Sequence, residues 1–234
     1  MRLGFIGTGE ITASIVTGLS SAGGAARSIW LSPRNSAIAS GLANRFHGIS
    51  VAVSNREVLD HSDTIVIAVR PTAAREVLLE LRFRSDHHVI SLVSALSLRS
   101  LYELVAPAAR IARAVPLPSA ARRMSPTAIY PCDPVACELF AAVGTVLPVE
   151  KESEFDAVCA TTATIASYYA FNETIASWLE QRGIPASQSR DYVARLFLGV
   201  TTGAVEASGA QFQITGRYSC HRRRYKRAIS QTLG

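Results

Sequence analysis

Short apolar runs alternate with stretches of helical periodicity through the first half of this chain, and that alternation restricts the fold more than any other feature. Residues 2–6, 28–32, 64–69, 89–93 and 110–115, with a shorter run around Val51, read as strands. Helical patterns over 11–22, 37–46, 73–81 and 98–105 separate them. Strand, helix, strand in repetition demands a parallel sheet covered by helices on both faces, because each crossover must return along a helix. The apolar run at 141–149 adds further strand structure and closes a first domain over residues 1–151.

From residue 152 the pattern is helical. Residues 153–182 are almost free of glycine and proline and stop at Gly183; Pro185 lies near the start of a second pattern that ends near Gly209. At 1.5 Å per residue such helices would span about 45 and about 35 Å. Their apolar faces (Ile165, Tyr168, Tyr169, Phe171, Ile175, Trp178 and Leu179, then Val193, Leu196, Phe197 and Val200) exceed what a hairpin buries alone, so they call for a partner surface, either the first domain or a second subunit. The expected fold class is α/β: an N-terminal doubly wound parallel sheet followed by an all-helical dimerisation domain over 152–212.

Residues 213–234 follow neither pattern. Arg217, Arg222, Arg223, Arg224, Lys226 and Arg227 fall there and no acid follows Glu206, so the formal charge of +6 belongs to the tail and not to a folded face. No nucleic-acid partner is expected. The tail reads as a solvated, disordered segment or as an aberrant, out-of-frame C-terminus. No run of about 18 apolar residues and no signal-peptide pattern is present, which points to a cytoplasmic protein without membrane spans. The four cysteines form no C-x-x-C pair, and the nearest two, Cys132 and Cys137, lie in a proline-rich stretch read as loop; reduced thiols and no metal site are expected. His47, His61, His87 and His88 fall in loops or at element ends, with His221 in the tail, and read as surface residues.

The first strand runs into Gly7-Thr8-Gly9-Glu10-Ile11 and then a helix. In that context a G-x-G turn has physical meaning: Gly7 permits the tight turn, and Gly9 lets the backbone approach a pyrophosphate held by amides at the helix N-terminus. The third glycine of the usual dinucleotide fingerprint would fall at Thr12. The second strand ends Ser32-Pro33-Arg34-Asn35. An acid there would bind a ribose 2′-hydroxyl, whereas its absence beside Arg34 suits a 2′-phosphate and hence NADP, in a Rossmann-type domain.

Taken in order, the turn, LSPRN, Val53-Ser54-Asn55 and Ala68-Val69-Arg70-Pro71 make the chain resemble the pyrroline-5-carboxylate reductase family over roughly residues 1–209, including Phe155-Asp156-Ala157-Val158. That family uses NADPH to reduce a cyclic imine to proline and pairs its subunits through the helical domain. The resemblance implies cofactor contacts at Thr8, Glu10, Ile11, Ala68, Val69, Arg70 and Pro71, with Asn55 at the adenosine ribose. Asn55 reads equally well as the N-cap of a helix beginning at 56.

The family's Met-Pro-Asn-Thr-Pro loop appears as Val115-Pro116-Leu117-Pro118-Ser119, and its Ser-Gly-Ser-Gly-Pro segment as Thr162-Ala163-Thr164-Ile165-Ala166. Hydroxyls survive at Thr162 and Thr164, the two candidate catalytic residues, where they would orient the imine. Small β-branched side chains that let a helix approach its neighbour closely are the competing reading. The family's closing Gly-Gly-Thr-Thr turn and helix have no counterpart. The expected function is NADPH-dependent reduction of a cyclic imine by a homodimer or higher homo-oligomer involved in proline biosynthesis. One alternative is an NADP-binding dimer with an altered pocket. Another is a reductase of the β-hydroxyacid dehydrogenase type, disfavoured because no lysine lies between Phe155 and Arg182.

Overall fold

The computed structural model describes residues 1–21 and 28–207, which form two compact units divided after Ala163. The first unit contains β1 (Arg2–Ile6), α1 (Glu10–Ser20), β2 (Ser28–Leu31), α2 (Ser36–Arg45), β3 (Ile49–Val51), α3 (Asn55–His61), β4 (Thr64–Ile67), α4 (Pro71–Leu79), β5 (His88–Ser91), α5 (Leu98–Leu104) and β6 (Arg110–Val115). A 3-10 turn (Pro118–Arg122), β7 (Ser125–Tyr130), α6 (Pro134–Ala141), β8 (Gly144–Pro148) and α7 (Glu152–Thr161) complete it. The strands join one eight-stranded sheet in the order β3-β2-β1-β4-β5-β6-β7-β8, parallel except where β7 runs against β6.

Side-chain alternation explains why the sheet has a core on each face. Leu3 and Phe5 of β1, Val66 of β4 and Ile90 of β5 pack with Ile15, Val16 and Leu19 of α1 and with Leu139 and Phe140 of α6. Their neighbours Ile6, Ile65, Ile67 and Val89 pack with Val58 and Leu59 of α3, Leu78 of α4 and Leu101 of α5. A strand covered on both sides reads as an unbroken apolar run, as β4 does. Each such side chain, fully buried, contributes about 1.5–3 kcal/mol of transfer free energy.

The stretch between β6 and β8 departs from expectation. Instead of a proline-rich loop it holds β7 and α6. Pro126 sits in β7 outside the three residues paired with β6 (Ala128, Ile129 and Tyr130), so its missing N–H costs no bond on that side. Pro134 occupies the first position of α6, where no N–H is needed, behind the Asp133 N-cap, whose carboxylate accepts from the Ala136 amide at 2.7 Å.

The long helix expected over 153–182 is broken at Thr162. Thr161 and Thr162 donate their hydroxyls to the carbonyls of Val158 and Cys159, each at 2.7 Å, and the amides of Thr162 and Ala163 bond three residues back instead of four. Hydroxyl bonding to the preceding turn competes with the helical ladder and ends α7 there. α7 therefore belongs with the sheet: Phe155 is buried against Ala128 and Val149. The second unit, described by itself, is a pair of helices, α8 (Thr164–Glu180) and α9 (Ala186–Glu206), with Gly183 at φ +90 in the turn. The pair is closed by Phe197 against Tyr168 and Phe171, and by Arg190 bridging Glu173 and Glu180. The basic tail at 213–234 lies outside the described residues.

Two histidines are core residues and not surface ones. His87 is fully buried: its Nδ1 accepts from the Arg84 amide at 3.1 Å, which assigns the proton to Nε2, 3.2 Å from the Leu59 carbonyl. His88 is also buried, with Nε2 3.1 Å from an Asp133 carboxylate oxygen. His47 and His61 are exposed. Among the described residues no cluster of histidine, cysteine or acidic side chains could hold a metal, and no helix is long and apolar enough to cross a membrane.

Candidate functional site

β1 pairs with β2 on one side and with β4 on the other, so the connections leaving the C-terminal ends of β1 and β4 run to opposite directions in the sheet. Such a reversal opens a crevice at the carboxyl ends of the strands. The loops after β1, β2 and β4 are laced together there. The Gly7 amide donates to the Ser32 hydroxyl at 2.9 Å, the Thr8 hydroxyl donates to the Ser32 carbonyl at 2.7 Å, and the Ala68 amide donates to the Ile6 carbonyl at 2.8 Å.

The two glycines of the turn have different reasons to be glycine. Gly7 has φ +100, and a Cβ there would meet the Ala68 carbonyl oxygen at 2.6 Å, so the fold itself requires it. Gly9 has φ −104, and a Cβ would find no protein atom within 4 Å. Space the protein leaves unfilled lies beside it. Gly9 is also the N-cap of α1 and offers no side-chain acceptor, so the amides of Glu10 and Ile11 in the first turn have no partner within the helix. By contrast α2, α3, α5 and α6 are capped by Asn35, Ser54, Ser97 and Asp133. An uncapped N-terminus beside open space is a chemical fit for a pyrophosphate.

The third fingerprint position is filled in an unforeseen way. Thr12 is fully buried and its hydroxyl donates to the Gly7 carbonyl at 2.7 Å, so a side chain bonds where other turns use a glycine for close packing.

All thirteen residues assigned to the cofactor sit at this edge of the sheet, with unequal freedom to touch a ligand. Thr8 and Ser32 are buried and bonded to one another, so their side chains brace the turn. Glu10, Arg34 and Arg70 are exposed, as is Pro71, the first residue of α4; Ile11, Ala68 and Val69 are half-buried. Asn35 uses its side chain to cap α2 through the Ile38 amide. Asn55 is not the cap of α3: Ser54 accepts from the Glu57 amide at 3.2 Å while the Glu57 carboxylate accepts from the Val53 amide at 2.6 Å. That capping by Ser54, with Glu57 reaching back to Val53, leaves the Asn55 side chain available at the mouth of the crevice. Ala52 donates to the Leu31 carbonyl at 2.9 Å, so the segments leading to Arg34 and Asn55 leave the sheet side by side.

Of the catalytic candidates, Thr162 ends α7 and commits its proton to Cys159, whereas Thr164 opens α8 in the second unit. Leu117, the residue in place of the family asparagine, precedes the 3-10 turn, with its amide bonded to the Ser125 hydroxyl at 2.8 Å.

A charged cluster within the first unit escaped the sequence reading. Arg113 is buried in β6; it lies 2.7 Å from Glu152 and 3.2 Å from Asp156, donates to the Ser94 carbonyl at 2.8 Å, and stacks over Phe155. Arg113, inside the otherwise apolar stretch IARAV, was the available signal.

Comparison with known proteins agrees with this geometry. The family described as NADP oxidoreductase, coenzyme F420-dependent, matches residues 2–95, which span β1 to β5 and the whole crevice. The pyrroline-5-carboxylate reductase of Pseudomonas aeruginosa is 27% identical over 214 residues, covering 88% of this chain and 77% of that protein. The crystal structure of 1-pyrroline-5-carboxylate reductase from Streptococcus pyogenes superposes with a TM-score of 0.84 at 21% identity, covering 100% of this chain and 90% of that one. That of Plasmodium falciparum pyrroline carboxylate reductase with NADP bound gives 0.74 at 20% identity, covering 100% and 94%. In sequence the chain is thus similar to pyrroline-5-carboxylate reductases over most of its length, and it shares their fold.

Proposed function

We propose that the protein is an NADPH-dependent oxidoreductase that reduces a cyclic imine, pyrroline-5-carboxylate or a close relative. The observation that carries this reading is the uncapped start of α1 against unfilled space at Gly9, at the reversal point of the sheet. The amides of Glu10 and Ile11 hold the pyrophosphate, Arg34 pairs with the 2′-phosphate, Asn55 bonds the adenosine ribose, and the segment from Ala68 to Pro71 flanks the nicotinamide. The bound coenzyme supplies a hydride equivalent.

An imine nitrogen is basic enough to arrive protonated, so no strong protein acid is required. What it needs is an acceptor that fixes its orientation. The Thr162 hydroxyl suits that role because its proton is already given to Cys159, leaving its lone pairs to accept from an iminium N–H. Thr164 supplies the second hydroxyl of the segment. The exposed apolar residues of α8 and α9, among them Tyr169 at 68% and Leu198 at 58% exposure, fit a homodimer or larger assembly built on these helices.

The test is a titration of the purified chain with NADPH and NADH, followed by turnover with pyrroline-5-carboxylate read at the reduced-nicotinamide absorbance. Arg34→Ala is expected to weaken NADPH by about tenfold or more while leaving NADH nearly unchanged. Failure to bind either coenzyme would refute the reading. Leu117 in place of an asparagine favours a second reading, an NADP-binding assembly without imine turnover; tight NADPH binding with no oxidation across several cyclic imines would select it.

A further inference from the structure

The connection between β7 and α6 brings two thiols together on the opposite edge of the sheet from the nucleotide crevice. Asp133 is the N-cap of α6 and accepts from the Ala136 amide, which makes Cys132 the residue just before the cap and Cys137 the fourth residue of the helix. In a capped helix those two positions face each other, and side chains there pack together across the first turn. Here both are cysteines, and both thiols are free. Cys132 is exposed and Cys137 is half-buried against the core beneath α6. Asp133 also contacts His88 at the start of β5, so the turn carrying the thiols is tied to the sheet.

We propose that Cys132 and Cys137 are a reversible redox pair, closed to an intramolecular disulfide by hydrogen peroxide or another small peroxide. The Cys132 thiolate attacks one peroxide oxygen, the O–O bond breaks, and a sulfenic acid forms with release of water. The Cys137 sulfur then attacks the sulfenyl sulfur, forming the S–S bond and releasing a second water. Each sulfur is oxidised by one electron, and the peroxide is reduced by two. Exposure makes Cys132 the sulfur that meets the oxidant. Burial pushes the Cys137 thiol up, with Cys132 beside it adding to the effect and the Asp133 backbone opposing it, which keeps Cys137 as a protonated resolving partner until the sulfenic acid is next to it. An exposed disulfide closing so short a loop is a labile one, reopened by small thiols.

The intact chain is treated with one equivalent of hydrogen peroxide, blocked with iodoacetamide, digested with trypsin and mapped by mass spectrometry. Residues 124–151 form one tryptic peptide holding both thiols. The expected result is a peptide two hydrogens lighter that takes no alkylating group, and takes two after treatment with dithiothreitol. Half-buried Cys159 is expected to stay alkylatable, with at least about tenfold less oxidation. In Cys137→Ser, Cys132 is expected to go on to the sulfinic acid or to a mixed disulfide with added glutathione. The proposal is overturned if both thiols remain alkylatable while Cys159 is oxidised, or if Cys132 reaches the sulfinic acid as readily with Cys137 present as without it. None of these readouts depends on coenzyme binding or turnover.

Discussion

The Thr12 hydroxyl donates to the Gly7 carbonyl at 2.7 Å, tying the first turn of α1 to the residue that follows β1. Thr12 is fully buried, so replacing it by valine keeps the shape and leaves that carbonyl without its partner. Thr12→Val is expected to cost about 1–3 kcal/mol of stability. Urea denaturation measures it, and an unchanged midpoint would show that the bond contributes nothing.

The two turn glycines separate folding from binding. Gly7→Ala drives a Cβ into the Ala68 carbonyl from a left-handed backbone, so it should lower the melting temperature sharply. Gly9→Ala meets nothing in the protein and should leave the melting temperature within a degree or two, or about 0.5 kcal/mol. Its NADPH affinity should nonetheless fall, because the methyl group occupies the space assigned to the pyrophosphate. A Gly9→Ala protein that binds NADPH as tightly as the parent would contradict the assignment.

Glu10 places an exposed carboxylate at the start of α1, where it complements the helix dipole and opposes an incoming pyrophosphate. Glu10→Gln should therefore bind NADPH more tightly, by roughly two- to fivefold, for a dipole-scale interaction of about 0.3–1 kcal/mol. The gain should shrink as salt is raised. Calorimetric titration at two ionic strengths checks both the sign and its screening.

Much of this was legible because the signals were local. The strands from β1 to β6 announce themselves as apolar runs, and the Gly7 turn, Arg34 and Asn55 fall at strand ends where topology collects them. What was lost depended on tertiary context. β7 and α6 were hidden by Pro126, Pro131 and Pro134, which are tolerated only because of where the pairing stops and where the helix begins. The break after α7 depends on the side-chain hydroxyls of Thr161 and Thr162 turning back on the helix, a choice that helix propensity does not record. Ser32 follows β2 beside the Gly7 turn, but its hydroxyl serves the Gly7 amide, which only the adjacency of β1 and β2 makes possible.

His87 makes stability depend on pH with a definite sign. Burial, with the charge of Arg84 beside it, pushes its pKa below the ordinary value, so the folded protein holds the neutral ring. The unfolded chain takes up a proton that the folded one refuses. Stability is therefore complete above the unfolded value of about 6.5 and declines as pH falls toward the depressed folded value, by at most about 1.4 kcal/mol per pH unit. Urea midpoints of the parent should fall between about pH 7.5 and about pH 5.5, and His87→Asn, though less stable at the upper pH, should show a shallower fall. Equal slopes would assign the pH dependence to other groups.

Arg113 and Glu152 should behave as a coupled pair. The guanidinium is 3% exposed, and besides Glu152 it holds Asp156, the Ser94 carbonyl and the face of Phe155; the Glu152 oxygen that meets it also accepts from the Leu98 amide at 2.6 Å. Three elements, β6, the start of α5 and the start of α7, thus converge on one ion pair. Glu152 and Asp156 retain 32% and 60% exposure, so water compensates part of what either loses when the arginine is removed. Arg113→Met should then cost about 2–3 kcal/mol, below the roughly 3–5 of a wholly buried pair broken on one side. Arg113→Lys keeps the charge but not the fork that reaches Ser94 and Glu152 together, and should fall between Met and the parent. Glu152→Gln, still able to accept from Leu98, should cost less than Arg113→Met. The double variant should be more stable than the sum of the two single losses predicts, by about 1 kcal/mol or more. Strict additivity in a urea double-mutant cycle would mean that the Glu152 contact contributes no coupling and that Arg113 is held by Asp156, the Ser94 carbonyl and the face of Phe155.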